Sequence, residues 1–451
     1  MASTLASRTI WDAVWSLAGR GQQSHSRLTA RAVCSRSLLG VTARRHLRVT
    51  ASPPKFGRID ANKLIEEETF PNYKAHWYYP VNIGQTFNDR YRVVAKLGYG
   101  SASTVWLCRD THSRSDKTVY VALKIYINCS KWHRELPVYE HINNLDTEHG
   151  GQNDVRKMLA HFILQGPYGS HVCRVHEACG FSLGEFKRRV VGGQLPVGLV
   201  REGLRNVLCG MQFLHEEAKV VHTDLHTENM LVGIHSQDDA SVFIDIERHE
   251  SEYPTPRKMV AGRVIYKSHD MPLTHGLPVV SDLSEARGVR EGLYFDDLVM
   301  PAECRAPEVI LDMPWSYPID VWSFGMTAWE LLEPQSLVEV KNDQGEYSEE
   351  QHLAHLVAIL GPPPLEFLKR SDRSLQYWSP QGTWKSDISV PADRSLESLE
   401  QRFDGDEKQL FLTWTRKMLQ WRPEDRANWK DVFFDKWLCA DLLESGEMVD
   451  D

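Results

Sequence analysis

The chain changes its hydrophobic period once, near residue 183. Before that point, three runs rich in β-branched residues predict short strands separated by Gly or polar turns: RYRVVAKLG, STVWLCRD and VYVALKIYI. After it, apolar residues repeat at helical spacing in VREGLRNVLCGMQFLHEEAK. They are Val200, Leu204, Val207, Leu208, Met211 and Leu214. Strands followed by helices predict an α+β fold in two parts, a small β-rich lobe and a larger helical lobe.

The same patterns divide the 451 residues into a leader at 1–50, an extension at 51–90, the β-rich lobe at 91–180, the helical lobe at 181–440 and an acidic tail at 441–451. Within the helical lobe, the polar stretch from about 236 to 277, which contains HESEYPTPRK, predicts an insertion. The eight Cys residues form no CxxC pair, which argues against a zinc site or disulfide scaffold and for a reducing compartment. No apolar stretch reaches the about 20 residues of a membrane-spanning helix.

Residues 1–50 differ in charge from the rest of the chain. They contain eight Arg and a single acid, Asp12, and therefore carry +7; since the whole chain carries −9, the other 401 residues carry −16. An Arg-rich, Ser-rich and acid-poor start is typical of mitochondrial transit peptides, although a disordered basic tail has the same composition. The acidic remainder favours attraction of basic substrates, but acidity also serves solubility.

A Gly-rich turn, GYGSAS at 98–103, lies between two predicted strands. Glycine there lets backbone amides approach phosphate oxygens, although Gly pairs are common in hairpins. The run VALKI then places Lys124 inside an apolar strand, where its charge needs a partner. A phosphate together with a carboxylate from a helix would satisfy the ammonium group. The two features together favour a nucleotide phosphate site.

The carboxylate is expected on the next helix, in RELPVYEHI. Glu135 precedes an apolar stripe of Leu136, Tyr139 and Ile142. Pro137 is compatible only with the first turn, so the helix is predicted to start near Glu135. Glu140 is the alternative acid, and we favour Glu135.

A third motif, HTDLHTENM, follows in the helical half. Asp224 could accept the proton of an attacking hydroxyl group, and Asn229 could bind a metal ion through its amide oxygen. Five residues apart on one loop, both side chains can face a single phosphate. The pattern HxDxxxxN alone is weak, but its position after a Gly-rich turn and a strand Lys makes it specific.

In this order the motifs resemble the eukaryotic protein kinases. The resemblance covers about residues 91–438 and includes Ala306, Pro307 and Glu308 as the family's A-P-E. It implies that Asp320, in IDVWSFG, hydrogen-bonds the catalytic loop and that Arg426 pairs with Glu308. Within the kinases the chain is most similar to the SR-protein kinases of fungal type. It shares with them KLGYGSASTVWLCRD with Ser for the third Gly, HTD instead of HRD, and LGPPP near 361–364.

Kinases hold Mg²⁺ with a second carboxylate, for which two candidates exist. Asp245, in FIDIE, follows Asn229 by the usual spacing of sixteen residues. Asp282, in VVSDLSEAR, is followed at the third position by the small Ser284, which allows the backbone to turn beside a metal ion. The segment from Asp282 to Glu308 also has an ordinary activation-loop length. We predict Asp282.

The resemblance implies a bilobal protein-kinase fold and transfer of the γ-phosphate of ATP, with Mg²⁺, to Ser or Thr hydroxyl groups of a protein substrate. By analogy, Arg/Ser-rich segments are a candidate substrate. A monomer without direct nucleic-acid binding is expected, and the family favours the cytoplasm and nucleus over a mitochondrial address. The implied catalytic residues are Lys124, Asp224 and His226, and the implied Mg²⁺ ligands are Asn229 and Asp282. The implied nucleotide-binding residues are Leu97, Gly98, Tyr99, Gly100, Ser101, Ser103, Val105, Ala122, Lys124, Glu135, Glu177 and Cys179.

The chain departs from the family at several positions near this site. His226 replaces a Lys that contacts the transferred phosphate, and a His carries that charge at neutral pH only if its pKa is raised. Pro301 and Cys304 replace a Thr and a Tyr, and His176 occupies the gatekeeper position before the hinge. Loss of one charge-assisted contact slows a reaction by about 10²–10³ without abolishing it, so an active but slow kinase is expected.

Two other functions remain open from the sequence. A pseudokinase scaffold is motivated by His226, Pro301 and Ser284. A small-molecule phosphotransferase is motivated by DLHTEN, which resembles the loop of aminoglycoside and choline kinases, but the A-P-E and IDVWSFG motifs argue against it. Thr223 stands where many kinases have an Arg that binds a phosphorylated activation loop. We therefore expect activity without prior phosphorylation.

Overall fold

The computed structural model describes residues 56–113, 118–130, 134–234, 237–271, 274, 276–289 and 294–448. The predicted leader at 1–50 lies outside these residues, as do the first five residues of the extension. The described chain forms a β-rich lobe followed by a helical lobe, as the change of hydrophobic period predicts. None of the helices in this described part is long and apolar enough to cross a membrane.

The β-rich lobe is built on one antiparallel sheet. The first seven strands are β1 (Arg58–Ile59), β2 (Thr86–Phe87), β3 (Tyr91–Tyr99), β4 (Ser103–Asp110), β5 (Val119–Tyr126), β6 (Met158–Gly166) and β7 (Gly169–Glu177). Six of them pair in the order β2-β3-β4-β5-β7-β6. The three predicted strand runs form β3, β4 and β5. Alternate side chains such as Val93, Trp106 and Leu123 pack into a core on one face, as the period of two in a strand requires.

Helix α1 (Glu135–Asn143) begins at the predicted residue, with Pro137 in its first turn. Val138, Tyr139 and Ile142 are buried and join a core that continues into the helical lobe. This packing fixes the start of α1, and with it Glu135, beside the sheet.

The helical lobe contains eleven further helices within the described residues. They are α2 (Leu183–Arg189), α3 (Val197–Glu216), α4 (Gln237–Glu252), α5 (Pro307–Ile310), α6 (Pro318–Leu332), α7 (Glu349–Leu360), α8 (Leu365–Leu368), α9 (Leu396–Leu399), α10 (Gly405–Met418), α11 (Trp429–Phe433) and α12 (Ala440–Ser445). The predicted apolar stripe of α3 is buried. Six fully buried tryptophans fill this core: Trp315, Trp322, Trp329, Trp378, Trp414 and Trp437.

Short strands frame the loops between the lobes. They are β8 (Val220–Val221), β9 (Met230–Val232), β10 (Arg257–Val260), β11 (Arg263–Tyr266), β12 (Pro278–Val280) and β13 (Arg287–Gly288). β8 pairs with β13 and β9 pairs with β12, both antiparallel. These two pairs hold the segment 222–229 beside the segment 281–286, which brings two distant parts of the chain together.

The insertion packs on the β-rich lobe, although it follows β9 in the helical lobe. Phe243 and Ile246 of α4 are buried, and Glu247 accepts hydrogen bonds from Arg109 Nε at 3.0 Å and Tyr120 Oη at 2.5 Å. β10 and β11 form a hairpin, and β10 pairs in parallel with β1 of the extension. The composition of the insertion is polar, but Phe243, Ile246 and Ile265 are buried, and the segment forms a helix and a hairpin.

The acidic tail begins inside a helix. α12 continues to Ser445, and Asp441 accepts hydrogen bonds from Arg205 of α3 at 2.7 and 2.8 Å. The predicted boundary at 441 therefore does not separate a free tail from the lobe, because this ion pair attaches the first tail residue to the core.

Candidate active site

A cleft of about 470 Å³ lies between the lobes. Ten predicted site residues line it: Tyr99, Gly100, Ser101, Ser103, Val105, Lys124, Glu135, Asp224, Asn229 and Asp282. They come from the Gly-rich turn, β5, α1, the 222–229 loop and the 281–286 segment. The structure therefore brings residues that are up to 183 positions apart, Tyr99 and Asp282, to one site.

Six predicted residues do not line this cleft: Leu97, Gly98, Ala122, Glu177, Cys179 and His226. Ala122 and Cys179 are buried within the fold. The carbonyl oxygen of Glu177 already accepts hydrogen bonds from the side chain of Arg156. His226 does not line the cleft, although its Nε2 lies 3.0 Å from Asn229 Nδ2. The roles of these residues in nucleotide binding and catalysis stay predictions.

Buried Asp320 of α6 anchors the start of the predicted catalytic loop, the segment 222–229. Its carboxylate accepts hydrogen bonds from the backbone amides of His222 at 2.6 Å and Thr223 at 2.8 Å. Thr223 has φ +67°, a left-handed conformation that a β-branched residue rarely adopts. The two bonds to Asp320 offset this strain, and the predicted role of Asp320 is confirmed. The predicted pair of Arg426 and Glu308 also forms, with two bonds of 2.6 and 2.7 Å.

Asp224 and Asn229 are hydrogen-bonded to each other. Asn229 Nδ2 donates to Asp224 O at 2.8 Å and to Asp224 Oδ2 at 3.0 Å. The amide nitrogen is thereby directed to Asp224, and the amide oxygen is left as the atom with metal-ligand chemistry. His226 Nε2 lies 3.0 Å from Asn229 Nδ2 and 3.7 Å from Asp224 Oδ1.

The charge of His226 depends on these neighbours. Burial disfavours the imidazolium form, but the nearby carboxylates of Asp224, Glu228 and Glu330 outweigh it, so the pKa of His226 is raised from 6.5. These carboxylates therefore favour the charged form of the imidazole more than water does.

Lys124 pairs with Asp282 and not with a helix carboxylate. Its Nζ donates to both carboxylate oxygens at 2.9 Å. Burial alone would raise the pKa of Asp282, but the Lys124 ammonium group holds that pKa well below its usual range. Asp282 has φ +62°, and its carboxylate accepts a hydrogen bond from Ser284 N at 3.3 Å. The expected helix partner is therefore wrong for this structure, because an acid from the 281–286 segment lies closer.

Glu135 is buried and bonds to other residues of the β-rich lobe. Its carboxylate accepts hydrogen bonds from Arg174 Nη1 and Tyr126 Oη, and His176 Nε2 lies 3.7 Å away. Glu140 is exposed, so Glu135 is the acid that faces the cleft. Arg174 was missed by sequence reasoning. A charged residue inside the strand run HVCRVHE was the available signal, since such a residue needs a buried partner.

Asp245, the alternative metal ligand, lies in a different environment from these groups. Its side chain is 67% exposed on α4 and pairs with Arg248 at 3.1 Å. Spacing from Asn229 was therefore misleading, because the insertion occupies the usual position of the metal-binding segment.

The other end of the cleft contains Arg156 and His176, next to the predicted hinge. Arg156 Nε and Nη2 donate to Glu177 O at 3.0 and 2.7 Å. Burial, followed by the charges of Arg156 and Lys124, lowers the pKa of His176 well below 6.5, so this imidazole is neutral. Sequence reasoning missed Arg156, which lies in no motif.

The residues at the cleft fit a magnesium ion bound together with phosphate. Asp282 supplies a carboxylate and Asn229 an amide oxygen, and Mg²⁺ in phosphotransferases takes one or two such ligands and completes its shell with phosphate and water. In the part of the chain that the structure describes, no cluster of three or more His, Cys, Asp or Glu side chains forms an all-protein metal site.

The comparison with known proteins identifies the family. No protein-family model matches the chain. A serine/threonine protein kinase of Aspergillus fumigatus is 38% identical over 407 residues, which cover 88% of this chain and 98% of that kinase. This chain belongs to the serine/threonine protein kinases. The pseudokinase and small-molecule alternatives receive no support from such relatives.

The similarity to the SR-protein kinases is also confirmed. The serine/threonine-protein kinase SRPK of Physarum polycephalum is 28% identical over 393 residues, which cover 81% of this chain and 90% of that kinase. SRSF protein kinase 3 of mouse is 34% identical over 173 residues, which cover 38% of this chain and 30% of that protein. This kinase therefore shares its fold and its order of motifs with that group.

Proposed function

We propose that this kinase uses ATP and Mg²⁺ at the cleft and that Asp224 is the general base. The observation that carries the proposal is the convergence of Lys124, Asp224, Asn229 and Asp282 on one cleft. Asp224 accepts the proton of the substrate hydroxyl, while Asn229 keeps the carboxylate oriented through its 3.0 Å hydrogen bond. A bound Mg²⁺ neutralises charge on the phosphates, and Asn229 and Asp282 are the residues that would hold it.

In this proposal, Lys124 exchanges its anionic partner when a nucleotide binds. Without nucleotide its ammonium group is neutralised by Asp282 at 2.9 Å. A nucleotide phosphate would offer Lys124 a second anion, and the Asp282 carboxylate would then be available to hold the metal ion. The ion pair thus keeps two charged groups satisfied within the cleft until substrate arrives.

The first experiment measures thermal stability with ATP, with and without Mg²⁺, followed by phosphate transfer to a protein substrate. Mg²⁺-dependent stabilisation and transfer by the wild type, and stabilisation without transfer by Asp224→Asn, are expected. Stabilisation that is independent of Mg²⁺, or transfer by the variant at the wild-type rate, would contradict the proposal.

The proposed substrate is a protein segment rich in Arg and Ser. Glu228 and Glu285 line the cleft beside Asp224, and the chain outside the leader carries −16. Carboxylates at that position favour Arg next to the phosphorylated residue. The same acidity supports the expectation that nucleic acid is not bound directly. An arrayed peptide library phosphorylated by the full chain tests this, and a preference for acidic or apolar flanks would contradict it.

We also propose that residues 1–50 direct the kinase to mitochondria and that it acts as a monomer. The Arg-rich, acid-poor composition supports the address. The full chain with a C-terminal fluorescent protein tests it: a mitochondrial signal is expected, and a cytoplasmic and nuclear signal would overturn the address. Light scattering of the purified chain tests the monomer.

A further inference from the structure

The N-terminal extension contacts the Gly-rich turn that lines the cleft. Tyr78 is buried, and its hydroxyl donates to Gly100 O at 3.1 Å and to Ser101 O at 2.8 Å. The ring of Phe70 packs edge-on against Tyr99, with 5.9 Å between centroids. Residues outside the predicted β-rich lobe therefore bond the backbone of the predicted phosphate-binding turn.

These two bonds determine where the neighbouring amides point. In a planar trans peptide, the C=O and N–H of one unit point in opposite directions. Gly100 O shares its unit with Ser101 N–H, and Ser101 O shares its unit with Ala102 N–H. By holding both carbonyls, Tyr78 directs both N–H groups away from itself. Among the described residues, neither amide donates to a protein acceptor, so both are available to a ligand anion.

The extension is itself fastened by the insertion. We call residues 63–78 the brace. Lys258 of β10 donates to Glu68 Oε1 and Oε2 at 2.9 Å and to Lys63 O at 3.0 Å. Arg263 of β11 donates to Ala75 O and, at 3.3 Å, to Tyr78 O. The insertion thus holds the brace at both ends.

The sheet holds the brace as well. Lys96 of β3 is buried and pairs with Glu66 at 3.2 Å and with Glu67. Breaking one partner of a buried ion pair is costly, so the brace has one well-defined position on the lobe. The Tyr78 hydroxyl is therefore placed before any ligand binds. Burial, followed by the charge of Glu67, raises the pKa of Tyr78 to about 12, which keeps this hydroxyl a donor.

We propose that Tyr78 is a positioning residue for the nucleotide phosphates: held by the brace, its hydroxyl turns the Ser101 and Ala102 N–H groups toward the phosphate oxygens. The proposal rests on ATP binding in the cleft. It assigns the extension and the insertion one joint role, which is to preorganise the phosphate-binding turn.

The test compares Tyr78→Phe with Tyr73→Phe. The Tyr73 ring packs 5.3 Å from that of Tyr78, and its buried hydroxyl has no hydrogen-bond partner among the described residues. Both variants remove one hydroxyl from the same aromatic pair, but only Tyr78→Phe breaks bonds to the turn. Dissociation constants for Mg-ATP and for adenosine are measured by calorimetry, with kcat and KM for ATP alongside.

Tyr78→Phe is expected to weaken Mg-ATP binding and raise KM by about fivefold, since the single hydroxyl proton shared by the two carbonyls contributes about 1 kcal/mol. Adenosine, which lacks phosphates, should bind Tyr78→Phe as it binds the wild type, and Tyr73→Phe should match the wild type for both ligands. Equal weakening of ATP and adenosine, or no change in ATP binding, would overturn the inference.

A second variant tests the same inference if Tyr78→Phe does not fold. Arg263→Gln loosens the brace without touching the turn, and about threefold weaker Mg-ATP binding with unchanged adenosine binding is expected. Unchanged Mg-ATP binding would contradict the role of the insertion. If the wild type itself fails to bind Mg-ATP, the proposed function fails first, and this result is distinct from a difference between variants.

Discussion

The two ends of the cleft differ in how their chemistry is encoded. At the phosphate end, Lys124, Asp224, Asn229 and Asp282 each supply a group that few residue types can replace, and all four line the cleft. The opposite end, where the adenine base of ATP is expected, is here called the base end. There the predicted residues Ala122, Glu177 and Cys179 do not line the cleft, and Arg156 donates a hydrogen bond to the Glu177 carbonyl oxygen. A sequence identifies the side chains that can bind phosphate or metal. It does not show whether a backbone atom is accessible, because that depends on which side chain the fold places next to it.

The largest effect is expected from Asp224→Asn at the phosphate end. Removal of the general base should lower kcat by about 10³, while ATP affinity stays the same because the amide keeps the size of the carboxylate. Initial rates and a binding titration measure both. Asp245→Asn is the matched control, since that carboxylate is exposed on α4 and pairs with Arg248. Loss of activity in the control, with a functional Asp224→Asn, would reverse the assignment of the cleft.

Arg174→Met should have the second-largest effect, on stability. Glu135 and Arg174 are both nearly fully buried, so removal of the guanidinium leaves a buried carboxylate without its main partner. The free energy of unfolding should fall by about 3–5 kcal/mol, as measured by urea denaturation. Arg248→Met, at an exposed ion pair, should change it by less than about 1 kcal/mol. If Arg174→Met is as stable as the wild type, the buried pair does not hold α1.

Addition of Glu135→Gln to Arg174→Met sharpens this result. The double variant removes the buried charge together with its partner, and part of the lost stability should return. No recovery would indicate that Arg174 stabilises the lobe by packing over Tyr126, whose ring centroid lies 4.7 Å from the guanidinium carbon, and not by charge.

His226→Ala should lower kcat by about 10², because it removes a positive charge 3.7 Å from the Asp224 carboxylate. The pKa of His226 is raised from 6.5, so the imidazolium contact with Asp224 is complete below pH 6.5 and is lost as the pH rises through the folded-state value. The wild-type kcat and this part of the stability should therefore fall as the pH rises above 6.5. His226→Lys should keep its rate across that range, since Lys stays protonated. An equal fall in His226→Ala would assign the titration to another group.

Much of the fold follows from the pattern of the sequence, and the limits are physical. The strand runs, the α3 stripe and the start of α1 near Glu135, which follows from Pro137 in the first turn, depend on local periodicity and backbone geometry, and each is confirmed. The position of the insertion depends on which surface covers Phe243 and Ile246, and a linear pattern does not contain that information. The partner of Lys124 could not be predicted for the same reason. Glu135 and Asp282 are both carboxylates that could neutralise a buried ammonium group, and only the distance to Lys124 in the folded chain selects Asp282.

Arg156→Ala, at the base end, is expected to have the smallest effect, which is a change in nucleotide affinity. It also gives the most direct comparison of the two ends of the cleft. The guanidinium makes two bonds to Glu177 O, at 3.0 and 2.7 Å, so a purine amino group has to compete with it for this acceptor. Without Arg156, one hydrogen bond becomes available to adenine, and ATP should bind about fivefold more tightly. Guanine presents a carbonyl at the same position, to which an Arg donates, so GTP should bind more weakly to the variant. Lys157→Ala is the control, since the neighbouring ammonium group bonds the Asn153 side chain at the surface. If ATP binds Arg156→Ala more weakly than the wild type, Arg156 is a nucleotide ligand, and the base end is as fully defined by its side chains as the phosphate end.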